Sequence, residues 1–128
     1  MNQESGIAIL APGLLGGSLA LAARKRFPLI PIRIWARRAE AVAEVQQRIP
    51  SAIGCESIAE CMRDVSLAIL CMPVQHMPEA AEQIAAAAVR PDLIVTDVGS
   101  VKGSVVAALE PILSAKGITF IGSHPMAG

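Results

Sequence analysis

Gly6-Ile7-Ala8-Ile9-Leu10-Ala11-Pro12-Gly13-Leu14-Leu15-Gly16-Gly17 is the stretch that decides the fold of this 128-residue chain. Its first five residues are apolar without alternation and stop at Pro12-Gly13, the pattern of a short strand buried on both faces. Residues 14–25 are helical in composition and end before Pro28. A buried strand, a glycine turn and a helix in direct succession open a βαβ unit, which requires a parallel sheet.

The same alternation continues outward from that stretch. Further strands are predicted at 30–35, 65–71, 93–97 and 118–121, with a weaker one at 52–53. Helices are predicted at 39–48, 58–62, 78–89 and 102–115. Pro78 is tolerated in a first turn, whereas Pro111 is expected to kink its helix or begin a new turn. Short connections make the crossovers right-handed. The predicted fold class is a doubly wound, mostly parallel α/β sheet, with residues 1–128 forming one dinucleotide-binding domain. Its ligands should sit beyond the carboxyl ends of the strands, at the switch point.

Composition excludes several function classes. Hydrophobic residues make up 53 % of the chain, too many for disorder. Phe27, Trp35 and Phe120 are the only aromatic residues, too few for a stacking platform for single-stranded nucleic acid. Eleven basic residues balance eleven acidic ones, so no global field attracts nucleic acid or anionic lipid. Neither is expected as a partner. Cys55, Cys61 and Cys71 lack C-x-x-C spacing and read as small buried hydrophobes; no metal site is expected. Residues 6–23 are uncharged, but the preceding leader holds Glu4 and no Lys or Arg. Pro12 and three glycines also interrupt them. They read as neither signal peptide nor membrane helix, and a cytoplasmic location is expected.

Ala11-Pro12-Gly13-Leu14-Leu15-Gly16 lies where a G-x-G-x-x-G fingerprint belongs, with Ala11 in place of the first glycine. Gly13 lets the backbone approach a pyrophosphate, the N–H groups near Leu14 and Leu15 can bind it, and Gly16 lets the helix pack closely on the strand. An ordinary strand-to-helix turn could use the same glycines, but the flanking strand and helix favour a Rossmann-type nucleotide site. NAD-binding domains place a carboxylate about 20 residues further on. That count from Gly16 reaches Ala36, followed by Arg37 and Arg38. Guanidinium groups suit the extra phosphate of NADP, and a basic pair opposes the macrodipole at a helix start. NADP is therefore expected, with NAD as the alternative if the arginines are merely solvated.

Three loops follow the later strands: Cys71-Met72-Pro73-Val74, Asp97-Val98-Gly99-Ser100-Val101-Lys102 and Ser123-His124-Pro125-Met126-Ala127-Gly128. In this fold they converge on the nicotinamide half of the cofactor, so Cys71, Met72, Pro73 and Gly99 join the expected contacts. His124 has the chemistry of a base for a substrate hydroxyl proton. Ser100 is placed to orient that imidazole or to touch substrate, and Asp97 and Lys102 read as local structural ions. A lone loop histidine is more often a surface residue, so the residue types leave both readings of His124 open. His76 reads as a surface residue, and Met72, Met77 and Met126 as gap-filling contacts.

Taken together, Gly13-Leu14-Leu15-Gly16-Gly17-Ser18-Leu19-Ala20, Asp97-Val98-Gly99-Ser100-Val101-Lys102 and His124-Pro125-Met126-Ala127-Gly128 resemble the amino-terminal domain of prephenate and arogenate dehydrogenases. The resemblance covers essentially the whole chain. It implies oxidative decarboxylation in tyrosine biosynthesis, with hydride passing from the hydroxyl-bearing ring carbon to the nicotinamide as carbon dioxide leaves. It implies that His124 bonds the ring hydroxyl and assists its deprotonation, with Ser100 beside it. The missing carboxylate at Ala36 resembles NADP-using, often arogenate-linked, members. Family members continue into a helical domain that completes the substrate pocket and makes a homodimer. This chain stops at Gly128, so it is expected to bind dinucleotide but turn over prephenate or arogenate poorly. Apolar surface left bare by that missing domain should promote weak self-association.

Two other readings compete. A β-hydroxyacid dehydrogenase or pyrroline-carboxylate reductase shares the glycine turn but does not usually carry the serine and histidine motifs together. A stand-alone nucleotide-sensing module would bind dinucleotide with indifference to His124→Asn.

Overall fold

A computed structural model describes residues 5–98 and 102–122. The elements run β1 (Gly6–Leu10), α1 (Gly13–Arg26), β2 (Ile32–Trp35), α2 (Ala39–Arg48), β3 (Ile53–Gly54), α3 (Ile58–Cys61), β4 (Val65–Leu70), a 3-10 turn (Val74–His76), α4 (Met77–Ala86), β5 (Ile94–Asp97), α5 (Lys102–Ser114) and β6 (Thr119–Ile121). All six strands form one parallel sheet in the order β3-β2-β1-β4-β5-β6. The chain winds outward from β1 to β3, returns beside β1 as β4, and winds the other way. The predicted doubly wound architecture is thus observed, and its switch point lies between β1 and β4.

Strand alternation divides the core into two layers. Ala8 and Leu10 of β1, Ala68 and Leu70 of β4 and Val95 of β5 face α3, α4 and α5, where Ile58, Met77, Ala81, Ile84, Leu109 and Leu113 close over them. Ile9, Ile32 and Ile34 face the opposite way and pack with Ala20 of α1, Val45 of α2 and Ile49 just beyond it. Side chains two apart along a strand share a face, so each strand feeds both layers.

Several local outcomes differ from the sequence reading. Helix α5 runs unbroken through Pro111, so this proline does not begin a new turn. Leu109 and Leu113 on either side of it are fully buried, and their packing outweighs the lost backbone bond. Helix α4 stops at Ala86, because Ala87 is already extended. The later strands are not buried on both faces. Leu67 and Ile69 of β4 and Thr96 of β5 are half-buried, and Ile94, Thr119 and Ile121 are exposed. The parallel register places all six on the α1/α2 side, where the described helices cover β1 and β2 instead.

Candidate dinucleotide site

The carboxyl rim of the sheet is held by backbone bonds that continue the ladder past each strand end. Ala11 N–H donates to the Trp35 carbonyl at 2.7 Å, Cys71 N–H to Leu10 at 2.9 Å, and Val98 N–H to Leu70 at 3.1 Å. The loops leaving β1, β4 and β5 therefore start from fixed positions. Asp97, at the end of β5, is fully buried.

The turn after β1 turns left-handed at two residues, Ala11 and Gly13, of which only Gly13 suits that backbone. Gly13 lies at φ +49°, and a Cβ built there would meet nothing within 4 Å. Pro12 precedes it as the helix cap, with no side-chain capping bond, and the first turn of α1 holds no acidic residue. The last turn carries Arg24, Lys25 and Arg26, so charge complements the dipole only at the far end. Uncapped N–H groups at a positive helix end, above open space, make a receptor for an anion. Leu14 and Leu15 contribute backbone to this turn; their side chains lie outside the described set.

Gly16 has a different role. A Cβ at this position would lie 3.0 Å from the Pro12 Cβ and 3.1 Å from the Cys71 Sγ. Glycine therefore brings α1 close against the end of β4, the packing role expected of it. Cys71 is half-buried there, and desolvation pushes its thiol up to about 12. Cys55 and Cys61 are buried and free. Interaction between the two thiols lowers Cys55 and raises Cys61. The reading of small buried residues holds for this pair and in part for Cys71.

A pocket of about 720 Å³ opens beyond the ends of β1, β2 and β4. Ala11, Arg37, Arg38, Met72 and Pro73 of the sequence reading line it, together with Trp35, Ile58, His76, Glu79, Ala80 and Gln83. Arg37 Nη2 stands 3.7 Å from Glu79 Oε1, and Arg38 Nε 3.7 Å from Glu40 Oε1, with both guanidinium groups two-thirds or more exposed. Exposed pairs of this kind contribute about 0–1 kcal/mol, so a phosphate can readily replace either carboxylate. A second groove of about 450 Å³ runs between α1 and α2 on the other side of Gly13. Its walls include Pro12 and Gly13 of the turn after β1, which do not line the rim pocket.

His76, read from sequence as a surface residue, is half-buried and lines the pocket. His76, Glu79, Ala80 and Gln83 follow the spacing of one helix face. That spacing, starting just after the Pro73 loop, was the available signal for them. Trp35 carries no sequence signal beyond its place at the end of a strand. Gly99, Ser100 and His124 lie outside the described residues.

The parallel sheet, its switch point, the glycine turn and the rim pocket define a Rossmann-type nucleotide-binding domain. Residues 30–128 match the sequence pattern of the family described as "Prephenate dehydrogenase, nucleotide-binding domain", and the chain belongs to that family. It is 33 % identical to a prephenate dehydrogenase of Bacillus subtilis (strain 168), over all of this chain and 34 % of that protein. The structure is similar to that of prephenate dehydrogenase from A. aeolicus in complex with hydroxyphenyl propionate and NAD+. The TM-score is 0.84 at 29 % identity, covering 100 % of this chain and 43 % of that one. It is also similar to Synechocystis arogenate dehydrogenase, with a TM-score of 0.81 at 27 % identity, covering 96 % and 41 %. The chain spans about a third of the length of the curated prephenate dehydrogenases it matches.

Proposed function

We propose that this chain is the cofactor half of an oxidoreductase that oxidatively decarboxylates prephenate or arogenate, and that its cofactor is NADP. Family membership supports the reaction class. The observation that carries the cofactor assignment is the pair Arg37 and Arg38 on the rim pocket, where Ala36 rather than a carboxylate directly follows β2.

The residues present fit a dinucleotide. The open space over Gly13 and the uncapped start of α1 suit the pyrophosphate. Trp35 and Met72 give the pocket apolar walls for an adenine ring. Arg37 and Arg38 hold the 2′-phosphate by charge-assisted bonds. When bound, the nicotinamide supplies the hydride acceptor. His124 holds the proton of the ring hydroxyl as hydride leaves the carbon that bears it, and Ser100 keeps the imidazole oriented. The role of His124 and the place of Ser100 beside it follow from the family resemblance, and the orienting role of Ser100 from its residue type. A longer protein would add a helical domain that completes the substrate pocket and forms a homodimer. The chain alone then binds dinucleotide with little turnover, in the cytoplasm.

Parallel titrations with NADPH and NADH test the cofactor assignment. NADPH is expected to bind about ten- to a hundredfold more tightly, the value of one or two charge-assisted contacts. Arg37→Ala or Arg38→Ala should remove most of that preference. A wild-type preference for NADH would overturn the NADP assignment.

A further inference from the structure

Glu79 reaches the pocket from a different crossover than the arginines. It sits in the first turn of α4, after β4, whereas Arg37 and Arg38 follow β2. Its carboxylate nevertheless lies 3.7 Å from the Arg37 guanidinium and lines the same pocket. We propose that Glu79 is a specificity-determining residue for the cofactor's 2′ position, supplying from α4 the pocket carboxylate that is absent at Ala36, directly after β2. The inference rests on the dinucleotide reading of this pocket.

The physical case is a competition for one guanidinium. A 2′-hydroxyl leaves the Arg37–Glu79 pair intact and can donate a hydrogen bond to the carboxylate. A 2′-phosphate must take Arg37 from Glu79, and it then lies beside a charge of its own sign. Glu79 thus opposes the preference created by Arg37 and Arg38, and it keeps NADH usable at the same site. Glu40 provides the internal contrast. It also stands 3.7 Å from an arginine, but it pairs with Arg38 two residues away in sequence and is not among the pocket residues. All four side chains are well exposed, so the effect is modest and screened by salt.

The test is a set of equilibrium titrations of the wild-type chain, Glu79→Gln and Glu40→Gln with NADPH and NADH, at low and at high ionic strength. Glu79→Gln is expected to tighten NADPH by about three- to tenfold at low salt and to weaken NADH by about two- to threefold. High salt should shrink both shifts, and Glu40→Gln should change either affinity less than about twofold. An NADPH-to-NADH affinity ratio unchanged by Glu79→Gln overturns the proposal while leaving the dinucleotide site standing. A matching shift from Glu40→Gln also overturns it, because the effect would then be net charge. Wild-type chain that binds neither nucleotide overturns the pocket's assignment and the proposal with it.

Discussion

Ala11 and Gly16 meet opposite constraints within one turn. Ala11 leaves β1 at φ +60°, a left-handed conformation that costs an L-residue about 1–2 kcal/mol. Its N–H bond to Trp35 and its packing against the main core hold it there. Gly16 has no unusual backbone, but it has no room. Gly16→Ala would press a methyl group into Pro12 and Cys71 and is expected to destabilise the fold by about 1–3 kcal/mol. Adding Cys71→Ala removes the Sγ at 3.1 Å and should recover part of that loss. Urea unfolding of the two single variants and the double variant measures the coupling, and simple additivity would show that the clash lies elsewhere. Glu79 belongs to the same scale, because one exposed carboxylate sets which charge Arg37 meets.

Among the elements, α3 depends most on a local signal. It is four residues long, and Ser57 caps it by accepting from the Glu60 N–H at 3.0 Å, while Glu60 Oε1 accepts from the Glu56 N–H at 3.0 Å. The Ser-x-x-Glu spacing that produces these bonds is visible in Ser57-Ile58-Ala59-Glu60. Within this helix Ile58 and Cys61 are buried, and Ile58 also lines the rim pocket. Ser57→Ala is expected to cost about 1 kcal/mol. Hydrogen exchange at Glu60 and Cys61 should speed up while the β1 and β4 amides keep their protection relative to global unfolding. At its own end, α5 is closed by Gly117 at φ +74° and by the Ile118 N–H bond to Leu113, the glycine cap of a helix followed directly by a strand. Both of these helix-end signals depend on residues within one turn of one another.

The whole molecule is asymmetric. One face of the sheet is closed by α3, α4 and α5. On the other, α1 and α2 cover β1 and β2 but leave the β4–β6 half open among the described residues, with Ile94 37 % and Ile121 53 % exposed. On this face Leu67 stands beside Ile94, while Thr96 and Thr119 separate the remaining apolar side chains, so the bare surface is apolar but interrupted. Sedimentation velocity over a concentration series is expected to show weak self-association of this chain, reduced by Ile121→Lys with little change in stability. A monomer at every concentration would show that the patch is too small to drive association.

The order of strands and helices, the glycine turn after β1 and the place of Arg37 and Arg38 are set by the residues in their own stretch of chain. Those features rest on short-range chemistry: apolar runs, glycine conformations, and a fixed count from one strand end to the next. Only the tertiary structure brought Trp35, His76 and Glu79 to the same pocket. Their elements are separated along the chain and meet because the right-handed crossovers return β4 to the side of β1. Only it exposed one face of β4, β5 and β6, whose apolar residues read as buried on both sides. Hydropathy records what a strand would bury, whereas the number of helices on each face decides what it does bury.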